Sequence, residues 1–263
     1  MVYFEQPNVF YKGEMMIYYY YLNKENETKP VYEVKFFSTM FSFNSGLKSE
    51  ERLFPLIKVK AFDENFDGLI DKYDFRIAFN NNINHIIKNI KIILFFQYSL
   101  KENVNGSMVT PAAIDIDTPN GAGYIKINGD LNLYQKAPLT KNTFEQYDYS
   151  NVFGSDYTQQ KEYDEILKEF SERNVSTIFE YDRFVSPLRS MSTVQIDVTV
   201  NIPSFQKILY ATPQLTKFKF FWVQLMAIFI PCYIIFDIIL VFLFKNKIFP
   251  CSITSDLPKI KNL

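Results

Sequence analysis

The residues with the clearest capacity for chemistry lie between Asp63 and Asp74, in the run DENFDGLIDKYD. Asp63, Asn65 and Asp67 stand two apart, Gly68 is sixth, Asp71 ninth and Asp74 twelfth. This is the spacing of a twelve-residue calcium loop, in which hard oxygens ring the ion and a sixth-place glycine permits a sharp turn. The side chains of Asp63, Asn65, Asp67, Asp71 and Asp74, with the Leu69 carbonyl, would supply those oxygens. Aspartate at the twelfth place reaches less far than the usual glutamate, so binding would be weak, at about 10⁻⁴–10⁻³ M for an extracellular site of this kind. The competing reading is a metal-free turn, in which Asp and Asn side chains bond their own backbone.

Three Asn-x-Ser/Thr triplets are glycan acceptors if the domain is luminal: Asn26-Glu-Thr, Asn105-Gly-Ser and Asn174-Val-Ser. His85 is the only histidine, and no Gly-x-Ser-x-Gly turn exists to activate a serine. There is no Cys/His cluster, phosphate loop or dinucleotide fingerprint, so the sequence reads as a non-enzyme without catalytic residues.

The elements that would position these residues are mostly strands. Met15–Leu22, Val31–Phe43, Leu53–Phe62, Tyr73–Phe79, His85–Leu100, Met108–Thr118 and Ser192–Ile202 are apolar or alternating runs bounded by turn residues. Gly123–Gln135 alternates around Asn128-Gly129, a dipeptide that predicts a tight hairpin because both turn positions need positive φ. Over Asp156–Arg173 the period changes. Tyr163, Ile166, Leu167 and Phe170 repeat every three or four residues, which predicts an amphipathic helix packed on a sheet, capped by Asp156 or Thr158 and ended by Asn174. The fold class is therefore mainly β: an antiparallel β-sandwich-like domain with one packed amphipathic helix, followed by a single C-terminal transmembrane helix.

That last helix is the run FFWVQLMAIFIPCYIIFDIILVFLF, Phe220–Phe244, broken in its apolar character only by Gln224, Pro231 and Asp237. At about 1.5 Å per residue it exceeds a hydrocarbon core of about 30 Å. Trp222 fits an interfacial anchor, and Pro231 predicts a kink. Asp237 costs about 2.5–3.5 kcal/mol at mid-membrane. It either meets a polar group on another helix or snorkels towards the headgroups near Lys245. The expected domains are residues 1–218, a β-rich non-cytosolic domain; 219–245, the transmembrane helix; and 246–263, a short cytosolic tail.

Composition narrows the class further. The net charge of −1 suggests no nucleic-acid partner. Both cysteines, Cys232 and Cys251, lie in or after the span, so the domain before it has no disulfides. Lys217 and Lys219 precede the span, whereas Lys245, Lys247, Lys259 and Lys261 follow it. This asymmetry places the tail in the cytosol and the large domain outside it. Yet VYFEQPNVFYKGE at the start lacks the apolar core of a signal peptide. Either an upstream segment is missing, or the protein is tail-anchored with its domain cytosolic.

Several blocks stand out together: YFEQPNVFY, the Asp-Gly loop, INGDLNLYQKAPL (Ile127–Leu139), SERNVSTIF (Ser171–Phe179) and KFFWVQ (Lys219–Gln224), with an acidic residue late in the span. In these the chain resembles the transmembrane protein 231 family of ciliary transition-zone membrane proteins. The blocks run in the same order along nearly the whole chain. The family plan is two spans with a non-cytosolic domain between them. The resemblance begins where a first span would have just ended, so it implies an upstream span missing from this sequence. It further implies a non-enzymatic membrane component of the transition-zone assembly, with Meckel-syndrome and tectonic proteins as partners and a role in the diffusion barrier and cilium assembly. The alternatives are a calcium-dependent ligand-binding or adhesion β-domain on a membrane stalk, and a tail-anchored cytosolic protein.

Overall fold

Whether a strand of this protein alternates in polarity depends on how many of its faces are covered. The computed structural model describes residues 2–23, 31–44, 46–82, 85–101, 104–140, 162–186, 192–211, 214–246 and 248. The strands are β1 (Val2–Glu5), β2 (Asn8–Asn23), β3 (Val31–Ser38), β4 (Leu56–Phe62), β5 (Lys72–Asn80), β6 (His85–Leu100), β7 (Gly106–Asp117), β8 (Tyr124–Gln135), β9 (Val175–Ser186), β10 (Thr193–Asn201) and β11 (Gln206–Leu209). The helices are α1 (Phe41–Asn44), α2 (Tyr163–Glu172) and α3 (Gln214–Lys245). The chain divides into two compact units, Met1–Ala211 and Thr212–Leu263.

In the first unit a four-stranded sheet, in the order β3-β2-β6-β7, faces a five-stranded sheet, in the order β4-β5-β10-β8-β9. Strands β1 and β11 form a separate antiparallel pair. The main core lies between the two larger sheets. Met15, Ile17 and Tyr19 of β2 and Ile92, Leu94 and Phe96 of β6 meet Phe75 and Ile77 of β5 and Ile196 and Val198 of β10. The outer face of the five-stranded sheet is solvated, which explains why β8 and β10 alternate cleanly.

The four-stranded sheet is different, because α2 covers its outer face. Met16 and Tyr18 of β2 and Ile93 and Phe95 of β6 pack under Tyr163, Ile166 and Phe170 of the helix. Burial on both faces removes the reason for alternation, so MMIYYYYL and IILFF are continuous apolar runs. Lys91 clamps the helix. Its Nζ donates to Asp164 Oδ1 at 3.2 Å, lies 3.6 Å from Asp115 Oδ2 and sits 4.7 Å above the Tyr163 ring. Partial burial alone would lower the Lys91 pKa, but the two aspartates raise it overall. At the other helix end Arg173 donates to the Val109 carbonyl at 2.9 Å and stacks on Phe170. A cation there also complements the helix dipole.

The predicted helix is confirmed, but its described part starts at Tyr163 with Glu162 as N-cap, and Arg173 is the C-cap in place of Asn174. The proposed caps Asp156 and Thr158 lie outside the described residues. The run Val31–Phe43 is strand only to Ser38. There Ser38 and Asn44 exchange bonds, and the chain turns into α1. The run Leu53–Phe62 becomes strand at Leu56. The five-stranded sheet is mixed, since β8 and β10 pair in parallel, whereas the four-stranded sheet is antiparallel throughout.

The hairpin expected at Asn128-Gly129 does not form. Strand β8 runs unbroken through both residues, and Gly129 lies opposite Tyr181 of β9 and Val200 of β10. A Cβ on Gly129 would lie 2.4 Å from the Glu180 carbonyl oxygen and 2.7 Å from the Tyr181 Cα. The glycine is required by close backbone approach rather than by a turn. Gly129→Ala should therefore destabilise the domain by about 1–3 kcal/mol. Asn128→Ala, at an exposed mid-strand position, should change stability by less than about 0.5 kcal/mol. Urea unfolding of both variants checks this, since a turn would have been sensitive to both residues.

Candidate functional site

The acidic loop joins β4 to β5, and its aspartates face its own backbone. Gly68 N–H donates to Asp63 Oδ2 at 2.9 Å, Asp67 N–H to Asn65 Oδ1 at 3.0 Å and Leu69 N–H to Asp67 Oδ1 at 2.7 Å. Glu64 N–H donates to Asp71 Oδ2 at 2.9 Å, which closes the loop across its neck. The Leu69 N–H, with the Asn65 amide, holds the exposed Asp67 carboxyl below the usual carboxylate range. Gly68 adopts φ 84° and Phe66 φ 59°. Positive φ suits glycine but is an outlier for a bulky residue, and the Phe66 side chain is 90% exposed.

Asp63, Asn65, Asp67 and Asp71 are thus brought together, but Asp74 is not. It belongs to β5, where its Oδ1 accepts from Thr199 Oγ1 at 3.0 Å and lies 3.8 Å from Lys72 Nζ. Among the described residues no three His, Cys, Asp or Glu side chains converge as an ion would require. A calcium ion held by the full set, with the Leu69 carbonyl, would need Asp74 to leave Thr199 and Lys72.

The other singled-out residues are dispersed. Asn105 is exposed just before β7. Asn174 is half-buried in the link between α2 and β9, and its carbonyl accepts from Lys136 N–H at 2.9 Å. Asn26 lies outside the described residues. His85 opens β6 and stacks on Tyr21, with ring centroids 4.1 Å apart.

In the second unit Phe220–Lys245 is one helix long and apolar enough to cross a membrane; an 18-residue stretch of it has a mean hydropathy of 2.7, and none of that stretch is buried by protein. Trp222 and Asp237 are exposed on it, and Pro231 lies within it. A family model described as Transmembrane protein 231 matches residues 1–253, through both units. The chain belongs to the transmembrane protein 231 family. It is similar to Transmembrane protein 231 of Xenopus tropicalis, 26% identical over 254 residues that cover 94% of this chain and 77% of that protein. It is also similar to those of Pongo abelii and Homo sapiens, each 26% identical over 215 residues that cover 80% of this chain and 67% of theirs. No solved structure matches. The protein is thus a membrane protein of this family, with one candidate transmembrane helix among the described residues.

One buried polar site escaped the sequence reading. Gln206 of β11 accepts from Tyr98 O–H and from Leu133 N–H, both at 2.8 Å, and donates to the Leu131 carbonyl at 2.8 Å. A lone Gln in the short run QKIL carries no periodic signal, so only tertiary contact reveals it.

The loop geometry generates two expectations. Asp63→Ala, which frees the Gly68 N–H and leaves the Asp67 N–H to Asn65 alone, should cost about 1 kcal/mol. The loss should be the same with and without about 1 mM calcium, a level at which weak sites fill; thermal melts decide. Because the Asp67 pKa is lowered in the folded state, its contribution is present above the usual carboxylate range and lost as pH falls through its folded pKa. Asp67→Asn should therefore make the acid side of the melting-temperature profile shallower.

Proposed function

We propose that this protein is a non-enzymatic membrane component of the ciliary transition zone. In this reading it helps to form the diffusion barrier at the ciliary base and supports cilium assembly. The observation that carries the reading is the family match over residues 1–253, which takes in the β-domain and the membrane-crossing helix together. A barrier component needs lateral contacts rather than a reaction centre. The two-sheet domain, covered on one side by α2, offers rigid surfaces for contacts outside the cytosol. Asp237 on the exposed helix offers a polar contact within the bilayer. The partners on this reading are other transition-zone membrane proteins of Meckel-syndrome and tectonic type, with the lipid bilayer and without nucleic acid.

A calcium-dependent adhesion role for the acidic loop is the competing reading. It is favoured by the placing of Asp63, Asn65, Asp67 and Asp71 in one loop, and opposed by the lack, among the described residues, of three acidic side chains that converge and by the engagement of Asp74 with β10. The Asp63→Ala melts separate the two.

Localisation of the tagged protein, expressed from its full locus in a ciliated cell, tests the proposal. The expected result is a ring at the ciliary base, together with a glycosidase mobility shift that Asn105→Gln removes or reduces. Diffuse endomembrane signal would overturn the transition-zone role. Absence of a shift would return the domain to the cytosol, as in a tail-anchored protein.

A further inference from the structure

The two sheets close differently at their two edges. On one side β7 and β9 are tied together. Thr110 and Thr177 share a 2.7 Å hydroxyl contact, and Tyr181 O–H donates to the Asp115 carbonyl at 2.8 Å while accepting the Asp115 N–H at 3.0 Å. On the other side β4 is the last strand of the five-stranded sheet, paired only to β5 among the described residues.

Open edges are usually blunted by proline, a bulge, an inward charge or lysines along the edge. Within Leu56–Phe62 only the lysines are present, Lys58 and Lys60, which repel a basic strand but not an acidic one, and the register with β5 is unbroken. The side chains that point towards the core, Ile57, Val59 and Ala61, are apolar and lie beside buried Ile77, Phe75 and Tyr73. Yet Val59 is 38% exposed and Ala61 is exposed, so the core is unfinished on this side. The outward row carries Lys58 and Lys60, both exposed and, among the described residues, without an ion pair. The acids behind them are already engaged: Asp74 with Thr199 and Lys72, Asp197 with Arg76 at 3.1 Å. The open edge is therefore apolar inward and cationic outward.

We propose that β4 is a docking edge for an extended segment of another protein, which adds to the sheet as a further strand. Cross-strand pairing fixes the chemistry of that segment. Inward positions opposite Ile57, Val59 and Ala61 are apolar. Outward positions opposite Lys58 and Lys60 are acidic, and those opposite Leu56 and Phe62 are apolar. A second copy of this chain fits this pattern less well. In its β7, Asp115 and Asp117 are bound to Asn89 and the Asp115 main chain to Tyr181. Its edge strand β9 carries Glu180 and Asp182 outward, but any register that pairs them with Lys58 and Lys60 sets Arg183 against the apolar inward row. The inference goes beyond the transition-zone reading and does not depend on it.

The test uses the full chain in lipid nanodiscs and a capped, fluorescent peptide Leu-Val-Glu-Val-Glu-Val-Leu, N-methylated along one edge so that it cannot pair with itself. Binding is followed by anisotropy, and strand pairing by the amide infrared band of an isotope-labelled peptide carbonyl. The expected result is saturable binding with a strand-type infrared shift. The double change Lys58→Glu with Lys60→Glu should weaken it by roughly tenfold or more and transfer preference to a second peptide, Leu-Val-Lys-Val-Lys-Val-Leu, N-methylated in the same way. Val59→Pro, which disrupts edge pairing, should abolish it while the domain still melts cooperatively. No binding, binding indifferent to peptide charge, or charge-selective binding without the infrared shift would each overturn the proposal. Should Val59→Pro unfold the domain, the charge exchange and the infrared band still decide.

Discussion

The structure depends on keeping the four-stranded sheet dry on both sides. Strands β2 and β6 carry large apolar groups on each face, so neither face can be left to water. The inner face is answered by the five-stranded sheet and the outer by α2. A ten-residue helix is marginal alone, so it owes its existence to that contact. Burying Ile166 and Phe170 contributes about 1.5–3 kcal/mol each, and Lys91 and Arg173 fix the two ends over the sheet. The helix and the sheet are thus each the condition for the other.

This mutual dependence explains what was legible in the sequence. The apolar face of α2 and the apolar runs of β2 and β6 announce themselves, because burial imposes their composition. The alternation of β10 is as plain, because one of its faces is wet. The misreading at Asn128-Gly129 arose because one glycine serves two different needs. A tight turn wants its φ freedom, whereas here the neighbouring backbone wants the space a Cβ would fill. The difference lies in residues 180 and 181, some fifty positions away, and no local pattern carries it. The acidic loop was legible as a spacing, since Asp63, Asn65, Asp67 and Asp71 do gather. The direction of Asp74 was not, because Thr199 decides it from β10.

Membership of the transmembrane protein 231 family gives the two units a common context. The proposed scaffold role draws on different parts of the molecule for contacts at different depths. The closed β7–β9 edge and the open β4 edge show that the domain is not equally available all round.

The buried amide of Gln206 has a mechanical meaning. Strand β11 ends at Leu209, and the chain passes through Ala211 before the membrane-crossing helix begins at Gln214. Any pull transmitted by the helix therefore enters the domain at that end. It meets the ladder to β1 and the Leu139 backbone, and then Gln206, bonded at once to β6 and to two points of β8. On that path Gln206 lies behind the buried Ile208 and Tyr210, and its three bonds join a single short strand to both sheets.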